Sequence, residues 1–443
     1  MSGQIADIVS WAGLIGGLGL LILLTVRGVN ILIAGPVAAL LVAVTAGLPL
    51  LPPFAAPDAA DFATSYMAGF TSFFGDWFFM FLLGAIFGEV MAASGAAASV
   101  AHWITARLGS RFALLATVLA CAVLTYGGVS VFIVAFSVYS LAVGLFREAN
   151  LPRRFIPGAL AFGSVTFTMT SAGSPEIQNL IPMQYLGTTA YAAWEVSLVV
   201  AVLMAGLGYA WLSHMVRRAV AAGERFEARA SDDARADTAA LPNPLLSILP
   251  LVAVLGVFLV TQDMGKWALI AALGSGLLAG VLVGWPFLRD MPAAFSAGAT
   301  GAVVAITNTC AVVGFGSVAK LTPAFMQALE MVQTIPGSPL IGAAIAVTVI
   351  AGLTGSASGG QTIALPLISP FYLDAGANPA ELHRTVAIAS GALDSLPHNG
   401  YVVTTIRAVC GETHARAYGA VGATTVVVPI IGLCLALALF TIF

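Results

Sequence analysis

Thr354-Gly355-Ser356-Ala357-Ser358-Gly359-Gly360-Gln361-Thr362 lies in the middle of an uncharged run, residues 331–373. A membrane-crossing helix needs about 20 residues for about 30 Å of hydrocarbon. The run is too long for one such helix and too short for two plus a turn. Arms of this length reach roughly 16 to 24 Å at about 1.5 Å per residue, so both end inside the membrane. A polar, glycine-rich tip is tolerable there only where protein or a wet cavity covers it. The spacing therefore predicts a re-entrant helical hairpin over residues 338–373. Residues 112–146 have the same form around Thr125-Tyr126-Gly127-Gly128-Val129-Ser130 and predict a second hairpin. Two ordinary helices in close glycine contact are the alternative. The clustering of polar residues at both tips argues against it.

The rest of the chain fits a membrane. Hydrophobic residues make up 59% and charged residues 8% of the sequence, against about 25% charged in soluble domains. Long uncharged runs recur, and the alternation of a membrane barrel is absent, so helices must satisfy the backbone. The expected fold is an all-α polytopic membrane protein with about ten spanning helices. The first ten residues carry Asp7 and no Lys or Arg. They lack the positive start of a signal peptide, so residues 11–26 are expected to be a retained first span. A net charge of −3 without a basic stripe gives no sign of nucleic acid. The four cysteines, Cys121, Cys310, Cys410 and Cys434, lie in apolar segments without CxxC spacing, as small buried hydrophobes do.

The two hairpins belong to an internal repeat. Ile86-Phe87-Gly88 matches Gly314-Phe315-Gly316, Leu124-Thr125 matches Leu353-Thr354, and Ala149-Asn150 matches Ala377-Asn378, at offsets of 228 to 229. Residues 1–215 form the first repeat, 216–243 a central cytoplasmic linker and 244–443 the second repeat. Basic residues flank the first hairpin, at Arg107, Arg111, Arg147, Arg153 and Arg154, and open the linker at Arg217 and Arg218. Positive charge marks the cytoplasmic side. That puts the N-terminus outside and brings the first hairpin in from the cytoplasm. An odd span count inverts the second repeat, whose hairpin then enters from outside.

A broken helix follows each hairpin, over about 155–187 and 379–408. The breaks are Thr170-Ser171-Ala172-Gly173-Ser174-Pro175-Glu176-Ile177-Gln178-Asn179 and Leu393-Asp394-Ser395-Leu396-Pro397-His398-Asn399-Gly400. Proline within a helix removes a donor and clashes with the preceding turn. Freed N–H groups at half-helix starts suit an anion. Interrupted segments in corresponding places of two repeats mark a transporter's binding site. The substrate-binding candidates are Tyr126, Gly127, Gly128, Ser130, Thr170, Ser171, Ser174 and Asn179 from the first half. Ser356, Ser358, Gly359, Gln361, Thr362, Ser395 and Asn399 come from the second. For any one hydroxyl, helix packing or capping explains it equally well. Clustering at tips and breaks favours binding. Glu176, Asp394 and His398 are the proton-coupling candidates, because ionisable groups inside a membrane are costly and functional by default. Every Arg and Lys is placed near a span end, so the site is expected to lack a cationic clamp.

The runs 391–400 and 170–179, with the glycine-rich second tip, resemble the gluconate permease (GntP) family of the wider ion-transporter superfamily. The resemblance covers essentially the whole chain, and Leu-Asp-Ser-Leu-Pro-His-Asn, residues 393–399, is its most specific part. It implies proton-coupled symport of gluconate, related sugar acids or short hydroxy acids such as 3-hydroxybutyrate. It also implies a homodimer with a scaffold domain and a moving transport domain in the inner membrane. The Ser-Asn-Thr signature of the sodium-coupled dicarboxylate branch is absent at both tips, which favours a proton over sodium as coupling cation. A sodium-coupled carboxylate symporter and a membrane subunit of a binding-protein-dependent transporter are the competing classes. An enzyme is disfavoured: HExxH, GxSxG and clustered histidines are all missing. No cofactor or metal is expected.

Overall fold

The computed structural model describes residues 2–54, 56, 59–229, 241–333, 335 and 338–442. Among them every regular element is helical. Six helices are long and apolar enough to cross a membrane: Ile5–Thr25, Phe62–Ala93, Trp194–Ala221, Trp267–Gly284, Met291–Ala319 and His414–Ile442. Their outer faces are apolar. Leu198, Val202 and Leu203 stand exposed along one helix, as do Leu278 and Leu282 along another. Side chains of this kind meet lipid rather than water. Polar residues mark helix starts instead. Asn30, Asp61, Asn243, Asp290, Ser338 and Asn378 each accept a hydrogen bond from a backbone N–H of the first turn, satisfying donors that lipid cannot.

The order of elements recurs along the chain. Ser2–Val26, Ile31–Thr45, Phe62–Ala93 and Ala96–Leu108 are followed by a hairpin, an interrupted helix and the long helix Trp194–Ala221. Pro244–Val260, Lys266–Gly284, Met291–Ala319 and Pro323–Gln333 are followed by the same three. Neighbours recur too. The first two helices of each set pack together, and the second of each set packs on the long helix of the other. Phe62–Ala93 and Met291–Ala319 run against each other through small residues. Gly298 sits on the Ile86 backbone and Gly69 on Ser317, and the Tyr66 hydroxyl donates to the Ala311 carbonyl at 3.0 Å. Small residues let helix backbones approach where lipid supplies no hydrophobic drive.

The hairpins are Ala113–Tyr126 with Val131–Glu148, and Pro339–Thr354 with Ala357–Asp374. Their arms of 14, 18, 16 and 18 residues span roughly 21 to 27 Å. The last 18-residue arm keeps its helix through Pro366 and Pro370.

The expected linker needs correction at its start. The helix Trp194–Ala221 runs past residue 216, and residues 224–229 are docked rather than merely solvated. Arg154 holds Glu224 with two hydrogen bonds of 2.7 and 2.8 Å. Arg229 holds Glu412 at 2.5 Å, and Arg416 holds Glu227 at 3.1 Å. The Phe226 N–H donates to Asn150 at 3.2 Å, beneath the Arg147 guanidinium. This strap spans from the first half to the end of the second break. Most of the remaining linker, residues 230–240, lies outside the described residues.

An apolar cavity of about 230 Å³ lies between the first helix, the Met291–Ala319 helix and the second hairpin. Trp11, Leu14, Phe315, Ala346, Ile350 and Ile363 are among its lining residues.

Candidate functional site

Each hairpin tip meets the break of its own half. At the first, the Tyr126 hydroxyl donates to the Ala172 carbonyl at 2.6 Å, and Gly128 lies beside Pro175. At the second, Asn399 donates to the Gly355 carbonyl at 3.0 Å and accepts from the Val402 N–H at 2.9 Å. Gly355 lies beside the His398 ring, with no room for a Cβ.

Neither break is a simple proline kink. Helix Ile156–Ala161 continues as a π turn, Phe162–Thr166, and then stops. Helical structure resumes only as Ile177–Asn179 and the six-residue Ile181–Leu186. In the second half, Pro379–Ser390 stops and Gly400–Val403 runs into the π turn Thr404–Val409. Single π turns occur frequently at functional sites. The half-helices after the breaks are short. The longer helix starts near the site belong to the hairpins, where Val131–Glu148 and Ala357–Asp374 begin at the tips with 18 residues each. Ser356 caps the second of these, accepting from the Gly359 N–H at 3.1 Å. Ser130 caps the first with no side-chain hydrogen bond.

The expected absence of a cation is corrected by Arg384. It is fully buried on Pro379–Ser390. Its Nε donates to the Ala192 carbonyl at 3.1 Å. One terminal nitrogen donates to the Thr170 carbonyl at 2.7 Å and to Asn179 Oδ1 at 2.9 Å. The other donates to the Ala190 and Ala192 carbonyls at 3.1 and 2.9 Å. Five hydrogen bonds thus reach four acceptors, the Ala192 carbonyl serving twice, all in the first break and the loop after it. Asn179 completes the knot by donating to the Ser174 and Ala190 carbonyls, each at 3.0 Å. Its amide is wholly engaged in holding the break. Next to Arg384, the buried His383 Nδ1 lies 2.6 Å from the Thr188 hydroxyl. Gln361, from the second hairpin, donates to the Gln178 carbonyl at 2.9 Å and to the Val386 carbonyl at 3.2 Å. The second half therefore grips the first break at three points.

Other candidates sit closer to their own backbone. Ser171 donates to the Phe167 carbonyl and Thr362 to the Ser358 carbonyl, and Ser356 and Ser358 face each other at 3.4 Å. Ser395 donates to Asp394 at 2.9 Å. Glu176 is partly exposed, whereas Asp394 and His398 are buried. Several buried polar atoms around the tips and breaks have no partner among the described residues, among them Thr125 Oγ1, Gln178 Oε1, Gln361 Oε1, His398 Nε2 and the Tyr401 hydroxyl. Gln178, His383, Arg384 and Thr188 were missed by sequence reasoning. For Arg384 a signal existed. It lies five residues inside the helix that Pro379 starts, ahead of the uncharged stretch 385–393.

Known proteins agree with this architecture. The profile of the GntP family permeases matches residues 9–264. YxjC of Bacillus subtilis (strain 168), described as an uncharacterized transporter, is 35% identical over 93% of this chain and 94% of its own length. The crystal structure of the YdaH transporter of Alcanivorax borkumensis, described as having an unusual topology, superposes with a TM-score of 0.57. The superposition covers 95% of this chain and 98% of that one, at 13% identity. At that identity the likeness concerns the fold alone.

Proposed function

Because this chain belongs to the GntP family of permeases, and so is a multi-pass membrane transporter rather than an enzyme, we propose that it carries a small hydroxy monocarboxylate with a proton across the inner membrane by alternating access. The observation that carries this reading is a set of unpartnered buried atoms, among them Gln178 Oε1, Gln361 Oε1 and His398 Nε2, where tips and breaks meet. A buried polar atom without a partner costs about 1–3 kcal/mol. A hydroxylated ligand offsets that cost by supplying donors. The ligand carboxylate would be held by helix starts and by neutral donors, because the Arg384 N–H groups are already taken. A second buried carboxylate would add a large desolvation cost without a bonded cation. Apolar neighbours such as Val129, Phe132, Phe167 and Leu396 leave few partners for a polyol chain, which favours 3-hydroxybutyrate-like acids over gluconate. Glu176, Asp394 and His398 are the proton carriers in this reading. Its architecture is a homodimer of inverted repeats with ten crossings: six long helices, the shorter Ile31–Thr45 and Pro244–Val260, and the two broken helices.

Proteoliposomes test it. Adding 3-hydroxybutyrate outside should alkalinise the outer medium, and His398→Ala or Glu176→Gln should weaken the response several-fold. Uptake that requires a sodium gradient and ignores a proton gradient rejects proton coupling. Displacement of bound 3-hydroxybutyrate by gluconate at far lower concentration than by lactate moves the substrate to the sugar acids. Displacement by dicarboxylates alone rejects the monocarboxylate reading.

A further inference from the structure

Arg384 presents a charge problem that its hydrogen bonds do not solve. Its acceptors are four backbone carbonyl contacts and one amide oxygen. These dipoles satisfy the N–H groups and leave one net positive charge in place. Among the described residues no carboxylate forms an ion pair with Arg384. A buried charge ordinarily pairs with an opposite one, and an ionisable group within a membrane protein is a functional candidate by default, ligand counter-ion being one of its known roles.

We infer that Arg384 is the fixed counter-charge of the transport site, a positioning residue that makes the site select anions carrying one negative charge. The inference rests on the carboxylate reading above. Two placements support it. Arg384 bonds the Thr170 carbonyl, and a Cβ on Gly391 would stand 3.2 Å from the Thr170 side chain. The guanidinium thus lies where the first break meets the start of the second. Tyr126, from the first tip, reaches the same break through its bond to the Ala172 carbonyl. Saturated donors keep Arg384 from bonding the ligand. Its field still acts, because charges separated by low-dielectric protein interact far more strongly than in water. With Glu176 and Asp394 protonated and His398 neutral, a monoanion brings the local charge to zero. A neutral analogue leaves it positive and a dianion makes it negative.

The test compares 3-hydroxybutyrate with its neutral amide as inhibitors of uptake. The wild-type protein should prefer the carboxylate by at least a hundredfold; a weak preference there sinks the carboxylate reading itself. Arg384→Gln should narrow the preference at least tenfold through KM, with the maximal rate changed less. Arg384→Lys keeps the charge and loses the fork, so it should lose thermal stability while holding the preference within a few-fold. Removing the fork orphans buried carbonyls and costs Arg384→Gln stability. Asn179→Asp then supplies an independent route. It sets a carboxylate against Arg384 at the 2.9 Å contact, at the cost of the two amide donations to the Ser174 and Ala190 carbonyls, and should narrow the preference tenfold. An unchanged preference in either variant, when folded and monodisperse, overturns the inference and leaves Arg384 a structural tie.

Discussion

Gly355 ends the first arm of the second hairpin with φ of 61°, a left-handed conformation that glycine adopts without strain. A Cβ there would stand 2.7 Å from His398 Cδ2, so the His398 ring must turn aside, next to the Asn399 bond to the same turn. Gly355→Ala should therefore cost about 1–3 kcal/mol through backbone strain and push the His398 ring off the tip. A drop in unfolding temperature together with a several-fold rise in KM is expected. A drop in stability with KM unchanged would place His398 outside the ligand's reach. The glycine and the histidine are both visible in the sequence, but their contact joins segments 43 positions apart. Arg384 was harder still to foresee. Its acceptors are carbonyls 192 to 214 positions away, and a carbonyl leaves no mark in a sequence.

The hairpins and breaks were legible because their causes are local. Arm length against membrane thickness gives the hairpins, and glycine, proline and polar runs give the breaks. The strap over residues 224–229 has no such signature, since alternating charges in a linker normally stay solvated. Its partners are fixed by where Arg154, Glu412 and Arg416 come to lie after folding. Glu224 is held below the usual carboxylate range by its hydrogen bonds to Arg154, which outweigh desolvation. A depressed folded value means the contact is intact above the unfolded value near 4.5 and is lost as pH falls below it. A nitroxide attached at Ala228→Cys should stay immobile at neutral pH and gain motion only as acid takes Glu224 through its lowered folded value. Glu224→Gln should give that motion at neutral pH, and high salt should add to it, because the pair is partly exposed and screened. A label equally immobile in all conditions would mean that Phe226 packing and the Arg229–Glu412 and Arg416–Glu227 pairs hold the strap without Glu224.

At the scale of the molecule, element order and neighbours recur between halves, and the charge pattern predicts that the halves face opposite ways. In a background without the native cysteines, Arg111→Cys lies just before the first hairpin and Ile335→Cys just before the second. A membrane-impermeant thiol reagent should reach the second from outside and the first only from the cytoplasm. Labelling of both from one side would require the same orientation for both halves. The apolar cavity of about 230 Å³ beside the second hairpin gives this architecture a further property. It is walled on one side by the first helix and on the other by Ala346, Ile350 and Ile363 of the hairpin, so a hairpin that shifts during transport must change how much of that space persists. Hydrostatic compression favours whichever state holds less empty volume. Transport by the wild-type protein should then be barosensitive, its rate changing with pressure at constant temperature as a non-zero activation volume requires. Ala346→Leu, which fills the space with side chain, should flatten that response, and this volume would thereby set how the transporter behaves in a compressed bilayer.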